Sequence, residues 1–129
     1  MAIEILLADD HRVIREGLRA LLEQQEDFRV VGEASNGHDA VRLALGLKPQ
    51  VIIMDVAMPD LSGIEACSQV RAEAPEIKVV ALSMHSDTRF VQSMLAAGAS
   101  QYLLKDCPFE ELATAIRTAV ADSTLETAV

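Results

Sequence analysis

Val51-Ile52-Ile53-Met54-Asp55 is the stretch on which the fold turns. Three β-branched residues and a methionine run without a polar break, and Pro49 stops any helix just ahead of them. β-branched residues favour strands, and the position before a proline disfavours helix. The run therefore reads as a short buried strand that ends on a carboxylate. Beyond it lies a loop with Pro59 and Gly63, then a helical period from about Ile64 to Ala74.

The same grammar repeats in both directions. Upstream, residues 3 to 8 form an apolar strand that stops at Asp9-Asp10. Val13, Ile14, Gly17, Leu18, Leu21 and Leu22 then recur as one helical face. Arg29 to Ala34 is a second strand, closed by Ser35-Asn36-Gly37, and Ala40, Val41, Ala44, Leu45 and Leu47 mark a helix ended by Pro49. Downstream, Ile77 to Leu82 is a strand ending at Ser83, and a helix from Thr88 to Ala97 is closed by Gly98. Gln101 to Leu104 is a strand ending at Lys105. A last helix starts at Pro108, a favoured first helical position, with Leu112, Ala115, Ile116, Ala119 and Val120 inward.

Five βα units with short loops predict an α/β fold, a parallel sheet covered by helices on both faces. Right-handed crossovers leave the flavodoxin-like doubly wound order 2-1-3-4-5 as the leading topology. One domain is expected over residues 1–121, with 122–129 as a tail or the start of a linker.

Composition narrows the function classes. The 129 residues carry a formal charge of -9, which disfavours direct binding to a nucleic-acid backbone. The opening residues do not resemble a secretory signal, and no apolar run reaches a membrane span. Cys67 and Cys107 have no metal or redox spacing, so reduced thiols in a cytoplasmic protein are expected. The four methionines at 54, 58, 84 and 94 read as gap-fillers. His11 is expected to face solvent near the site, and Asp60 to be a turn residue.

In such sheets, sites form beyond the carboxyl ends of the strands, at the switch in strand order. That edge receives Asp9 and Asp10 from strand one, Asp55 from strand three, Ser83 from strand four and Lys105 from strand five. Two carboxylates about 5 Å apart repel by roughly 3 kcal/mol at an effective dielectric near 20. One lysine cannot neutralise three acids, whereas a hard divalent ion such as Mg2+ can. A carboxylate beside Mg2+, an ammonium and a hydroxyl suits phosphoryl transfer, with Asp55 as nucleophile and Lys105 and Ser83 receiving phosphoryl oxygens. Neither a Walker loop nor a dinucleotide glycine fingerprint is present.

Asp9-Asp10, Asp55, Met58-Pro59-Asp60 with Gly63, Ser83, and Tyr102 with Lys105 resemble, in order and spacing, the receiver domains of two-component response regulators. The resemblance spans residues 3 to about 121. Asp9-Asp10-His11, Val31 to Gly37, Leu82-Ser83-Met84-His85 and Tyr102 to Asp106 are similar to the NarL/FixJ subfamily, whose members carry a LuxR-type helix-turn-helix domain. The resemblance implies that Asp55 accepts a phosphoryl group from a cognate sensor histidine kinase. It implies that Asp10 binds Mg2+ directly, Asp9 mostly through water and Ala57 through its backbone carbonyl. It further implies that Ser83 moves inward, Tyr102 changes rotamer, and the face of the fourth helix, fifth strand and fifth helix is read by a partner.

A phosphorylation-dependent homodimer and transcription regulation follow by the same resemblance, with DNA bound only through a C-terminal domain absent from this sequence. Pro often follows the family's lysine; here Asp106 does, which leaves the isomer of the Lys105–Asp106 bond open. A self-modifying switch is expected rather than a turnover enzyme. A haloacid-dehalogenase-type phosphatase would need an acid two residues past its nucleophile, where this chain has Ala57. For the same reason slow autodephosphorylation is expected. A flavin carrier would need phosphate-binding loops and stacking aromatics, and aromatics are only 3% of the chain.

Overall fold

The computed structural model describes residues 2–128, with the side chains of 122–128 left out. The expected tail at 122–129 lies outside the described side chains. Five strands alternate with five helices: β1 (Ile3–Ala8), α1 (Arg12–Glu23), β2 (Phe28–Ala34), α2 (Gly37–Leu47), β3 (Val51–Met54), α3 (Gly63–Glu73), β4 (Lys78–Ser83), α4 (Thr88–Ala96), β5 (Gln101–Leu104) and α5 (Phe109–Ala128). All pairings are parallel and the order is β2-β1-β3-β4-β5, as the sequence predicts. Element ends shift from the sequence expectation by a residue or two, as when α5 starts at Phe109 rather than Pro108.

Alternation along each strand divides the core in two. Leu6, Ala8, Ile52, Met54, Val79 and Ala81 pack into one buried cluster, with the α2 and α3 residues Ala40, Ala44, Ala66 and Val70. Ile5, Leu7, Val51, Ile53, Val80 and Leu82 turn to the other face, against Leu22 of α1 and Leu112, Ala115 and Ile116 of α5. Both faces of the sheet are thus covered, which is why its strands read as unbroken apolar runs.

Register places the site. Ala8 lies opposite both Ala34 and Met54, and Met54 opposite Ala81. Strands that end level put their next residues side by side. The ladder also continues one residue past the strands: Asp9 N–H donates to Ala34 O at 3.0 Å and Asp55 N–H to Ala8 O at 2.9 Å. Lys105 N–H does the same to Ser83 O at 2.9 Å. The three charged residues are therefore held by sheet geometry, although each looks like a loop residue in sequence.

Two glycines allow the loops around Asp55 to pack closely. A Cβ on Gly63 would sit 1.8 Å from the carbonyl oxygen of Asp55, and one on Gly37 would sit 1.9 Å from that of Leu61. No side chain fits at either place, so α3 and α2 can start directly against the loop that follows Asp55. Asn36 and Ser62 cap these helices, accepting from Asp39 N–H and Glu65 N–H.

Two expectations about apolar residues are corrected. Val13 and Leu21 belong to the expected inner face of α1, yet Val13 is 82% exposed and Leu21 41%. Arg15 and Arg19 explain the rotation: both reach Glu33 of β2, at 2.8 and 2.5 Å, and turn the helix toward them. Met84 is no gap-filler; it is 69% exposed because it is the first residue past β4. Met54 and Met94 are fully buried, as a gap-filling role requires. Cys67 and Cys107 are both free.

Candidate functional site

The carboxyl edge of the sheet carries the constellation. Asp9 and Asp55 are almost completely buried, at 5% and 4% exposure, and Lys105 joins them. Its Nζ lies 2.7 Å from Asp9 Oδ2 and 3.1 Å from Asp55 Oδ2. Three strand ends, β1, β3 and β5, meet in this one ammonium. The chain is folded so that residues 96 and 50 positions from Lys105 share its proton donors.

Electrostatics follow from that placement. Burial pushes the Asp55 carboxyl above the usual carboxylate range, while the Lys105 bond and charge and the Ala57 N–H pull the other way. Burial alone would lower the Lys105 ammonium, but bonds to Asp9 and Asp55 outweigh it and hold the group above its ordinary value. Lys105 is therefore fully charged, and it stabilises Asp55 without fully offsetting the cost of burying it.

The remaining predicted residues divide. Asp10 is partly exposed and, with Asp55, Ala57 and Lys105, lines an open cavity of about 500 Å³ whose rim is completed by His11, Met84 and His85. Ser83 is fully buried, and its Oγ accepts from His85 N–H at 3.0 Å. It lines the neighbouring cavity of about 390 Å³, with Lys105 and Met84 as the shared wall. Tyr102 is half-buried on β5, and its hydroxyl donates to the His85 carbonyl at 2.7 Å. The structure thus gathers Asp9, Asp10, Asp55 and Lys105, and leaves Ser83 and Tyr102 engaged with the β4–α4 loop. The Lys105–Asp106 bond is trans. Asp60 does sit in a turn, with φ 61°, and faces His38 at 3.0 Å.

His11 is exposed and stands at the site, as expected, and its ring also meets the acids: Nδ1 lies 3.0 Å from Asp9 Oδ1, 3.3 Å from Asp10 Oδ1 and 3.8 Å from Asp55 Oδ2. Asp9 causes this, because its Oδ1 accepts from His11 N–H at 2.8 Å and closes a turn two residues long. Such side-chain-to-backbone turns are common after aspartate, and that was the available sequence signal. Arg15 was also missed: it donates to the Asp9 carbonyl at 2.6 Å and so fixes the acid pair from behind. Carboxylate oxygens of Asp9, Asp10 and Asp55 and a ring nitrogen of His11 lie within 4.8 Å of one another, an arrangement that could hold a metal ion.

Comparison with known proteins agrees with this geometry. The sequence model of the response regulator receiver domain matches residues 5–117. The chain is 46% identical over 117 residues to the transcriptional regulatory protein LiaR of Bacillus subtilis. It is 40% identical over 117 residues to the response regulator protein VraR of Staphylococcus epidermidis. These matches cover 91% of the chain but 56% of each relative, so the chain spans about half the length of the curated relatives it matches. A LuxR-family two-component response regulator from Aurantimonas superposes with a TM-score of 0.89 at 34% identity, covering 95% of this chain and 87% of that one. The receiver domain of the NarL regulator from Mycobacterium tuberculosis gives 0.85 at 28% identity, covering 95% and 97%.

Proposed function

The chain belongs to the response regulator receiver domain family, and from that premise we propose that Asp55 is its phosphoacceptor in two-component signalling. One observation carries the assignment: Lys105 Nζ joins two nearly buried carboxylates at the switch in strand order, and only Asp55 of the two also borders the open cavity. Asp9 is closed off by its bonds to His11, whereas Asp55 can be approached.

In this reading an Asp55 carboxylate oxygen attacks phosphorus in line. The donor is the phosphohistidine of a cognate histidine kinase; a P–O bond forms as the P–N bond breaks. The acidic donor set fits Mg2+, which the carboxylates of Asp10 and Asp55 would hold, with Asp9 and the Ala57 carbonyl as further ligands on the family pattern. Bound there, the ion would supply charge neutralisation for the phosphoryl oxygens. Lys105 opposes the protonation that burial favours at Asp55 and would pair with a second phosphoryl oxygen. Ser83 Oγ accepts from the His85 amide, and an inward move of the hydroxyl toward the phosphate would release that bond. Release of that bond frees the β4–α4 loop, and Tyr102, tied to the same residue, passes the change to the α4-β5-α5 face.

Ala57 lines the cavity without a side chain able to orient water, which supports a slow-hydrolysing switch over a turnover phosphatase. DNA binding would belong to the part of the relatives that this chain does not span. Transcription control, a phosphorylation-dependent homodimer and a cytoplasmic location go with the same reading. No helix among the described residues is long and apolar enough to cross a membrane.

Incubation with acetyl phosphate and Mg2+, followed by intact mass, tests the assignment. A single Mg2+-dependent phosphate adduct is expected, absent in Asp55→Asn. A wild type without the adduct, or a variant that keeps it, overturns the proposal.

A further inference from the structure

We propose that Glu33, acting through Arg15, is a positioning residue for phosphoryl transfer: the pair holds the peptide between Asp9 and Asp10 and so aims both carboxylates. The inference rests on the reading of Asp55 as a phosphoacceptor served by Mg2+. The role it assigns lies outside the acidic pocket, on β2 and α1.

An irregularity in the sheet is the first support. β1 and β2 run level from Ile3–Phe28 to Ile5–Val30, and then Leu6 pairs with Gly32, so Val31 is an extra residue in β2. A bulge of this kind sends each later side chain to the opposite face. In a regular register Glu33 would pair with Ala8, whose side chain packs on the α2 and α3 side. With the bulge it pairs with Leu7 and shares that residue's face, where α1 packs. The shift thus delivers one carboxylate to α1, next to the site and away from the other acids.

What Glu33 meets there is the second support. Its Oε1 accepts from Arg15 Nε at 2.8 Å and its Oε2 from Arg19 Nη1 at 2.5 Å. Burial works against the Glu33 charge, but the bonds from Arg19 and Arg15 outweigh it and hold the carboxyl below its ordinary range. The Arg15 side chain is only 16% exposed, unlike an ordinary surface pair. Its other arm, Nη1, donates to the Asp9 carbonyl at 2.6 Å.

That carbonyl belongs to the planar peptide unit joining Asp9 to Asp10. The Asp9 N–H is already held by Ala34, the neighbour of Glu33. With the carbonyl fixed as well, the plane cannot turn, and the directions in which both acids leave the backbone are set. Groups that orient ligands in this way typically change metal affinity or activity by about 10-fold or more when removed.

The test measures the initial rate of phosphorylation by acetyl phosphate against Mg2+ concentration, and amide exchange in the metal-free chain. Arg15→Met should raise the half-saturating Mg2+ about 10-fold and change the rate at saturating Mg2+ much less. Exchange at the Asp10 and His11 amides should accelerate with no metal present. Arg15→Lys keeps the charge and the helix but lacks the fork that spans two acceptors, so a shift of about threefold is expected even if the methionine variant folds poorly. Glu33→Ala should shift half-saturation in the same direction, and Arg15→Met/Glu33→Ala should be no worse than Arg15→Met alone, because the two act in series. Arg12→Met removes the same charge from an exposed α1 pair with Glu16 and should match the wild type.

A purely structural role would lower the melting temperature and leave half-saturation within about twofold of wild type in the arginine variants; that result overturns the inference. So do shifts that multiply in the double variant, or an equal shift in Arg12→Met. Any of these with a normal Mg2+-dependent adduct on the wild type leaves the Asp55 assignment standing. Absence of that adduct in the wild type would instead remove the reading beneath the inference.

Discussion

The two halves of the site edge are built differently. On the β1–β3 side, Asp9 and Asp55 are buried, fixed by backbone bonds that extend the sheet, and bridged by Lys105. On the β4–β5 side, Ser83 and Tyr102 both bond to main-chain atoms of one residue, His85. The first half is assembled before any phosphate arrives. The second is held by two exchangeable bonds in an exposed loop. Chemistry needs preorganised charge, and signalling needs a part that can let go. The difference between the halves is a difference of task.

Removing Lys105 should break that contrast most severely. Lys105→Met leaves two buried carboxylates facing one another and removes the charge that the proposed function assigns to the phosphoryl group. Loss of one preorganised donor of this kind costs about 100-fold in rate. Phosphorylation of Lys105→Met by acetyl phosphate, followed by mass, should slow by at least that factor. Lys105→Arg should not restore it, because a planar fork cannot replace a point charge between two carboxylates. A Lys105→Met rate within about threefold of wild type would deny the β1–β3 half its role.

Stability should respond with the opposite sign at Asp55. A carboxyl whose folded pKa is raised holds its proton more tightly folded than unfolded. Its favourable share is complete below the ordinary carboxylate range and is lost as pH rises through the raised value. At neutral pH the ionised group therefore works against folding. Metal-free Asp55→Asn should melt a few degrees above wild type at pH 7, on the order of 1 kcal/mol. The advantage should vanish near pH 3. A variant that melts below wild type at pH 7 would mean that Lys105 more than offsets the burial of Asp55.

This asymmetry also explains what could be read without coordinates. Strand order and the convergence of Asp9, Asp10, Asp55 and Lys105 were legible because each follows an apolar run, and runs that end level deliver neighbours. Ser83 was legible as a strand end, but its present partner was not, since a hydroxyl bonds within a loop whose path has no period. The contacts of His11 with the acids were not legible, because its direction depends on one Asp9 turn rather than on any repeat. Val13 was misplaced because Arg15 and Arg19, polar in any pattern count, are drawn inward by Glu33 across the α1–β2 gap.

Ser83→Ala is the next smaller perturbation. It deletes the acceptor of the His85 amide at a fully buried position, which should cost about 1 kcal/mol in denaturant unfolding. Phosphorylation should slow by several-fold, well short of the loss at Lys105, because a neutral hydroxyl stabilises the phosphoryl charge less than an ammonium does. Equal losses at the two positions would erase the contrast between a preassembled half and a movable one.

Tyr102→Phe should have the smallest effect on stability and is the sharpest test of the movable half. Two readings of Tyr102 compete: a core ring that happens to carry a hydroxyl, or a latch on the loop. The ring keeps its packing in the variant, and only the bond to the His85 carbonyl is lost. That bond lies at the surface, where water can replace the donor, so about 0.5 kcal/mol or less is expected. Amide exchange in the β4–α4 loop, 84 to 87, should nonetheless accelerate, because one of two tethers on His85 is gone while Ser83 still holds the other. A loss above about 1.5 kcal/mol with unchanged loop exchange would place Tyr102 in the rigid core and leave Ser83 without a route to the α5 face.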